Sequence, residues 1–315
     1  MLEKTQRDGG LSLPSRGCFE FVLGVSVLAL AKLTDRVMFV LLWTSAVLVA
    51  VVIAAIIFFV GKEGLTTFQY VSPGAVLASW HWAPPEAFGL LIFVLGSLAS
   101  TALAMVIAVP IGLAGAVFLA KESPEWLRVL MRPATNLFVG IPSVVYGYVG
   151  MTVFVPLARR ISGGVGFGLG VAGIILAVMI LPTIISISED AIRSVDPVLE
   201  EGSLALGATR WETISKVILP AARPGILASV ILAFARAFGE TTAVQMVIGN
   251  APVFPQSLFH PTSTLTSEII QEMGQTPPGT AWYYSLFLMA FGLLATSLAA
   301  ILVVRMVARR GEVAS

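Results

Sequence analysis

Apolar residues along the chain gather in six runs, at about 37–60, 89–120, 136–157, 165–187, 224–248 and 282–306, separated by charged, Pro-rich or Gly-rich stretches. Crossing a hydrocarbon core of roughly 30 Å takes a helix of about 20 such residues. The pattern therefore predicts six membrane-spanning helices. A shorter run at 21–31 lies between Glu20 and Lys32 and contains Ala29-Leu30-Ala31, which superficially matches a signal-peptide cleavage site. Its length and charged flanks favour an interfacial or amphipathic lead-in. The domain reading is then an N-terminal segment at 1–36, a transmembrane domain at 37–308 with a long loop at 188–223, and a tail at 309–315.

Composition agrees with the pattern. Of 315 residues 57% are hydrophobic and 12% charged, with a mean hydropathy of +0.92, whereas soluble domains carry about 25% charged residues. The class is all-α and polytopic. Lys and Arg number 19 against 18 Asp and Glu, a net charge of +1 that gives no general basic field for nucleic acid. One set of alternate loops collects 15 Lys and Arg. The other collects 3 (Lys62, Arg159 and Arg160), and Arg236 lies inside a run. The positive-inside rule then expects both termini and the 188–223 loop on the cytoplasmic side. Cys18 is the single cysteine, and His81 and His260 stand far apart, so disulfide and metal chemistry find no ligand spacing.

Within 188–223, Asp196-Pro197 reads as an N-cap followed by proline at the first helical position, with Glu200 and Glu201 in the first turn. That helix is expected to stop at Gly207. Thr209-Arg210-Trp211-Glu212 reads as a capping box that starts a second helix, which Pro220 stops or kinks. Trp211, Ile214, Val217 and Ile218 form one apolar stripe on it. Leu204, Ala205 and Leu206 stand just before the turn, placed to project into a partner.

The segment Glu201-Gly-Ser-Leu-Ala-Leu-Gly207, then nine residues, then Val217-Ile-Leu219-Pro220, resembles the EAA loop of ABC importer permeases. Gly202-Ser203 replaces the family's Ala-Ala, and Val217 its Ile. Gly140-Ile-Pro-Ser-Val-Val-Tyr-Gly147, Arg236-Ala-Phe-Gly-Glu-Thr-Thr-Ala-Val244, Met246-Val-Ile-Gly-Asn250, Ser257-Leu-Phe and Thr264-Leu-Thr resemble phosphate-specific importer permeases of the PstC type. The PstA type has similar segments. The resemblance covers roughly 36–308. It implies the type I, MetI-like permease fold of six transmembrane helices with a cytoplasmic coupling helix, in a prokaryotic inner membrane. It also implies that Glu201, Leu204, Ala205, Leu206 and Gly207 engage a cytoplasmic ATPase. The implied partners are a PstA-like permease, two copies of a PstB-like ATPase and an extracytoplasmic PstS-like phosphate-binding protein on the outer loops 62–87 and 249–281. No Gly-x-x-x-x-Gly-Lys-Ser/Thr loop occurs in the chain. No cofactor is expected here, ATP and Mg belonging to the partner ATPase, and the chain itself is expected to do no bond chemistry.

Arg236 and Glu240 fall inside the fifth run, where a charge costs about 2.5–3.5 kcal/mol at the bilayer centre and avoids lipid. Four apart on one expected helix, they either pair with each other or serve an anion pathway, Arg236 offering a donor fork that suits phosphate oxygens. Glu240 could accept from the P–OH of phosphate, a donor that sulfate lacks. In the third run Pro142 disrupts the helix, and Ser143 and Tyr146, with Thr241 and Thr242 in the fifth, offer hydroxyls that either pack helices or replace water around a passing anion.

Gly168-x-Gly170-x-x-Gly173 formally matches a dinucleotide fingerprint, but without a βαβ setting it reads as helix packing, and so does the Ala235 and Gly239 pair. Trp80, Trp82, Trp282, Tyr283 and Tyr284 read as interface anchors. The rival readings are a permease for sulfate, molybdate or phosphonate, a proton-coupled carrier using Glu240, a membrane enzyme, for which no catalytic constellation is present, and a sensory protein on a permease fold.

Overall fold

The computed structural model describes residues 16–312, with side chains from Asp35 to Met306 apart from Asn136 and Val304. In chain order the elements are α1 (Arg16–Tyr70), α2 (Pro73–Leu77), a two-stranded antiparallel hairpin of β1 (Trp82–Ala83) and β2 (Ala87–Phe88), then α3 (Leu91–Glu122) and α4 (Glu125–Gly140). They continue with α5 (Ser143–Ser162), α6 (Leu169–Arg193), α7 (Pro197–Ala205), α8 (Arg210–Phe238), α9 (Thr242–Val247), α10 (Leu265–Met273) and α11 (Ala281–Glu312). Among the described residues five helices are long and apolar enough to cross a bilayer: α1 from Asp35, α3, α6, α8 and α11. The pair α4 and α5, bent by 91°, gives a sixth when the two are taken together as one broken span.

The chain divides into two compact units, 1–58 and 59–315. The first is helical from Arg16, and its described side chains are exposed, Phe39, Trp43 and Phe58 among them. Helix α1 passes through 21–31 without interruption, so that run is a continuous part of the first span's helix.

In the second unit α3, α6 and α8 pack together, α4 lies on α6, and α11 on α8. Their contacts form three buried clusters. The central one joins Ala104 and Ala108 of α3, Leu176, Ile180 and Ile184 of α6, Ala233 and Ala237 of α8, and Val244 and Val247 of α9. A second, at what we call the hairpin end, joins Trp82, Phe88, Phe93, Phe238, Leu265 and Leu286. A third, at the basic end, joins Ala116, Ile192, Ile214, Ile218 and Ala222. Small residues let these helices close up: a Cβ added to Gly173 would stand 2.6 Å from Leu103 Cδ2. Gly173 thus lets two helices close up as expected, whereas Gly168 and Gly170 face backbone carbonyls of the 258–260 loop. Gly239 brings no second helix close, because an added Cβ there meets only the Ala235 carbonyl of its own helix.

Three π-turns interrupt the helices, at Phe118–Glu122, Gly150–Phe154 and Ile214–Ile218. Each is followed, two residues later, by a proline: Pro124, Pro156 and Pro220. At Pro156 and Pro220, where the helix continues, the ring would clash with the carbonyl four residues back, and the widened turn, closed by Val155 N–H to Gly150 and Leu219 N–H to Ile214, relieves that crowding, whereas the turn closed by Ser123 N–H to Phe118 ends α3 before the extended Pro124. Pro220 therefore does not stop the second loop helix, which runs on to Phe238 as one span.

Candidate functional site

The fifth apolar run does not form one helix. Helix α8 ends at Phe238 with Gly239 as its C-cap, and α9 starts at Thr242, so Glu240 and Thr241 lie in the break. Arg236 and Glu240 consequently do not share a helix face, and they are absent from the ion pairs of the described residues. The Glu240 carboxylate turns the other way and accepts from the Ala243 N–H at 3.2 Å, which satisfies one free donor in the first turn of α9.

Arg236 is held by two other elements. Its Nη1 donates to Thr183 Oγ1 of α6 at 3.2 Å, and its Nη2 approaches the Val139 carbonyl of α4 at 3.5 Å. That carbonyl is free because the 91° bend at Ile141-Pro142 ends α4, leaving its last turn without helical donors. The neighbouring Phe138 carbonyl accepts from the Tyr146 hydroxyl at 2.8 Å. A guanidinium at a helix C-terminus is favoured by the helix dipole. The broken span thus positions one half-buried cation between α4, α6 and α8.

Helix α9 packs on α5, which brings the other candidates to the same region. A Cβ on Gly147 would come within 3.0 Å of the Ala243 Cα, so glycine sets this approach. Tyr146 is buried, whereas Ser143, Thr241 and Thr242 are half-buried. Thr241 Oγ1 donates locally to the Gly239 carbonyl at 3.2 Å.

The loop at 188–223 builds as its residues dictate. Asp196 accepts from the Val198 N–H at 2.9 Å to open α7, and Gly207 turns the chain with φ +88°, a conformation open to glycine at no steric cost. Thr209 and Glu212 form the reciprocal capping box of α8. Lys121 meets Glu200 at 2.5 Å and Arg210 meets Glu122 at 3.8 Å, tying α7 and the start of α8 to the end of α3, while Ser203 and Thr213 hydroxyls bond at 2.9 Å. Glu201, Leu204, Ala205, Leu206 and Gly207 remain exposed, Leu206 at 91%. The expected stripe divides: Ile214 and Ile218 are buried, but Trp211 is 68% exposed and joins Leu206 on the outward surface.

Two features escaped the sequence reading. Thr183, which receives Arg236, carries the single hint that it follows Pro182 in an apolar run. Glu272 accepts from Trp82 Nε1 at 3.0 Å and from Trp282 Nε1 at 2.7 Å, so these two indoles clasp a carboxylate.

Residues 108–309 match the model of the family described as binding-protein-dependent transport system inner membrane component. The chain belongs to this family. It is a multi-pass membrane transporter component. It is 47% identical over 265 residues, 82% of this chain and 86% of the relative, to the "Probable ABC transporter permease protein YqgH" of Bacillus subtilis. It is 35% identical over 286 residues, 83% of this chain and 85% of the relative, to the "Phosphate transport system permease protein PstC" of Mesorhizobium japonicum. Among solved structures, a chain of the inward-facing MetNI methionine ABC transporter superposes with a TM-score of 0.53 at 24% identity, covering 69% of this chain and 96% of that one. This likeness establishes the type I ABC importer permease fold.

Proposed function

We propose that this chain is a permease subunit of an ATP-driven importer of inorganic phosphate and lines half of the translocation pathway. Relatives bearing the name PstC support the substrate class. The observation that carries the reading is Arg236, a permanent cation at a broken mid-membrane helix, with the Tyr146 hydroxyl one carbonyl away. Its contacts to Thr183 and Val139 are neutral, so its charge stays available to an anion. Glu240, Thr241, Thr242 and Ser143 would supply weak additional contacts, which suit passage better than one tight site.

In this reading the chain does no bond chemistry. A PstA-like permease completes the pathway, and two PstB-like ATPases, which bind ATP and Mg, receive the coupling helices. A PstS-like phosphate-binding protein docks on the opposite side. Residues Glu201 to Gly207, with Trp211, form the seat for the ATPase, and Lys121–Glu200 passes its movement to α3. Both termini and α7 lie on the cytoplasmic side, in keeping with the Lys and Arg count.

The test is co-purification of the chain with its partners, followed by phosphate-uptake and ATP-hydrolysis assays in vesicles with loaded and empty binding protein. Arg236→Gln should leave the assembled complex intact and cut uptake tenfold or more, on the order of 1.4 kcal/mol of lost stabilisation. Uptake at the wild-type rate, or uptake driven by an ion gradient without the ATPase, would sink the proposal.

A further inference from the structure

Glu268 lies one turn into α10 and is 1% exposed, yet neither of its carboxylate oxygens has a hydrogen-bond partner among the described residues. Three helices pack on α10, namely α3, α9 and α11, and the hairpin reaches it through Trp82. The hairpin carries Glu86 in its turn and an exposed His81 just before β1, and the three helices supply no base. Helix α3 has no charged residue before Lys121 at its far end, α9 has none, and α11 has none before Arg305, with Tyr283 and Tyr284 as the titratable groups of its first turn. Beside α9, the Glu240 carboxylate is engaged by the Ala243 N–H. On α10 itself the neighbour is Glu272, fixed by the indoles of Trp82 and Trp282. Ser263, whose hydroxyl is also buried without a partner, is the remaining polar group at the carboxyl.

A buried site with a second carboxylate and no cation among the described residues strongly disfavours an ionised Glu268. The acid form resolves the conflict, because a carboxylic O–H can donate to a carboxylate where two carboxylates only repel. We propose that Glu268 is a proton-binding site, whose single proton, shared with Glu272, latches α10 onto the helix bundle. Burial first, then the charge of Glu272, pushes the Glu268 carboxyl up to about 8.

The latch reaches the candidate pathway directly. From the same helix Thr266 Oγ1 donates to the Glu240 carbonyl at 3.0 Å, and the Leu265 N–H donates to Ser97 Oγ of α3 at 3.0 Å. Loss of the proton places two negative charges together and loosens the element that fixes the backbone at Glu240. The latch belongs to the chain itself, whatever the permease carries.

The two indoles on Glu272 make the proton visible. Tryptophan emission of the purified full-length chain in lipid nanodiscs, titrated between about pH 6 and 9, should show a sigmoidal change with a midpoint near 8. Glu268→Gln, which mimics the acid form, should be flat over that window. A flat wild type, or the same transition in Glu268→Gln, overturns the proposal. Infrared spectra of the wild type remain decisive even if the variant fails to fold. The stretch of a protonated carboxyl should be present at about pH 6 and gone by about pH 9, and its absence at the lower pH overturns the proposal.

Discussion

At the basic end Glu189 is nearly as buried as Glu268 at the hairpin end, 3% against 1% exposed, but the two carboxyls meet opposite surroundings. Glu189 receives Arg193 from its own helix at 2.9 Å and Arg132 from α4 at 3.2 Å, and Arg132 reaches on to Asp190. Glu268 receives no donor at hydrogen-bond geometry among the described residues. One end therefore fastens α4 to α6 with paired charge, whereas the other fastens α10 by withholding charge. The pairing needs basic residues, which collect on one side of the chain, and withholding needs a proton from the medium. The two fastenings should thus answer to different conditions.

The largest expected effect is on the dependence of stability on pH. Because burial raises the Glu268 pKa from 4.5 to about 8, the folded chain keeps this proton where the unfolded chain has released it. Its contribution is fully present below about 4.5 and is lost as pH rises to about 8, a change on the order of 3–5 kcal/mol. Thermal unfolding in detergent at several pH values should show that decline in the wild type and not in Glu268→Gln. A wild type equally stable across the window would erase the contrast between the ends.

Next in size is Glu189→Ala, which leaves Arg132 and Arg193 facing a vacated acceptor and should lower stability by roughly 1–3 kcal/mol. Glu189→Gln, which keeps an acceptor, should cost less, and the pH slope due to Glu268 should persist in both. A Glu189→Gln variant as stable as the wild type would place the loss in Glu189→Ala in packing and hydrogen bonding instead of in the paired charge. The smallest change in stability is expected for Leu206→Ala, within about 0.5 kcal/mol because the side chain is already in solvent. The same substitution should lower phosphate uptake per ATP hydrolysed in the reconstituted complex. An unaltered ratio would remove Leu206 from the ATPase seat.

Legibility in the sequence followed the range of the interactions. Asp196-Pro197, Gly207 and the Thr209/Glu212 box are local signals, each settled within a few residues, and α7, the turn and the start of α8 lie where they predict. The break in the third run was readable from Pro142 for the same reason. The break at Gly239–Thr241 was not, since apolarity continues from 224 to 248, and α8 stops at Gly239 while the Glu240 carboxylate opens α9 by turning to the Ala243 N–H. The Trp82–Glu272 bond spans 190 residues, and no pattern of apolar positions encodes such a partner. Arg236 was found by its cost in lipid, but its seat on Thr183 and Val139 depends on the crossing of three helices.

The π-turn at Ile214–Ile218 holds one residue more than an α-turn would, and Arg236 lies five turns downstream on the same rod. Each residue of an α-helix advances the azimuth by about 100°, so the surplus residue sets the phase at which every later side chain emerges. Excising it would spare the length and greasiness of the span while swinging the guanidinium out of line with its carbonyl. The proline that made the widened turn worthwhile is thus also the timing mark of the shaft, and the span behaves as a camshaft whose lobes keep their angle through a single inserted tooth.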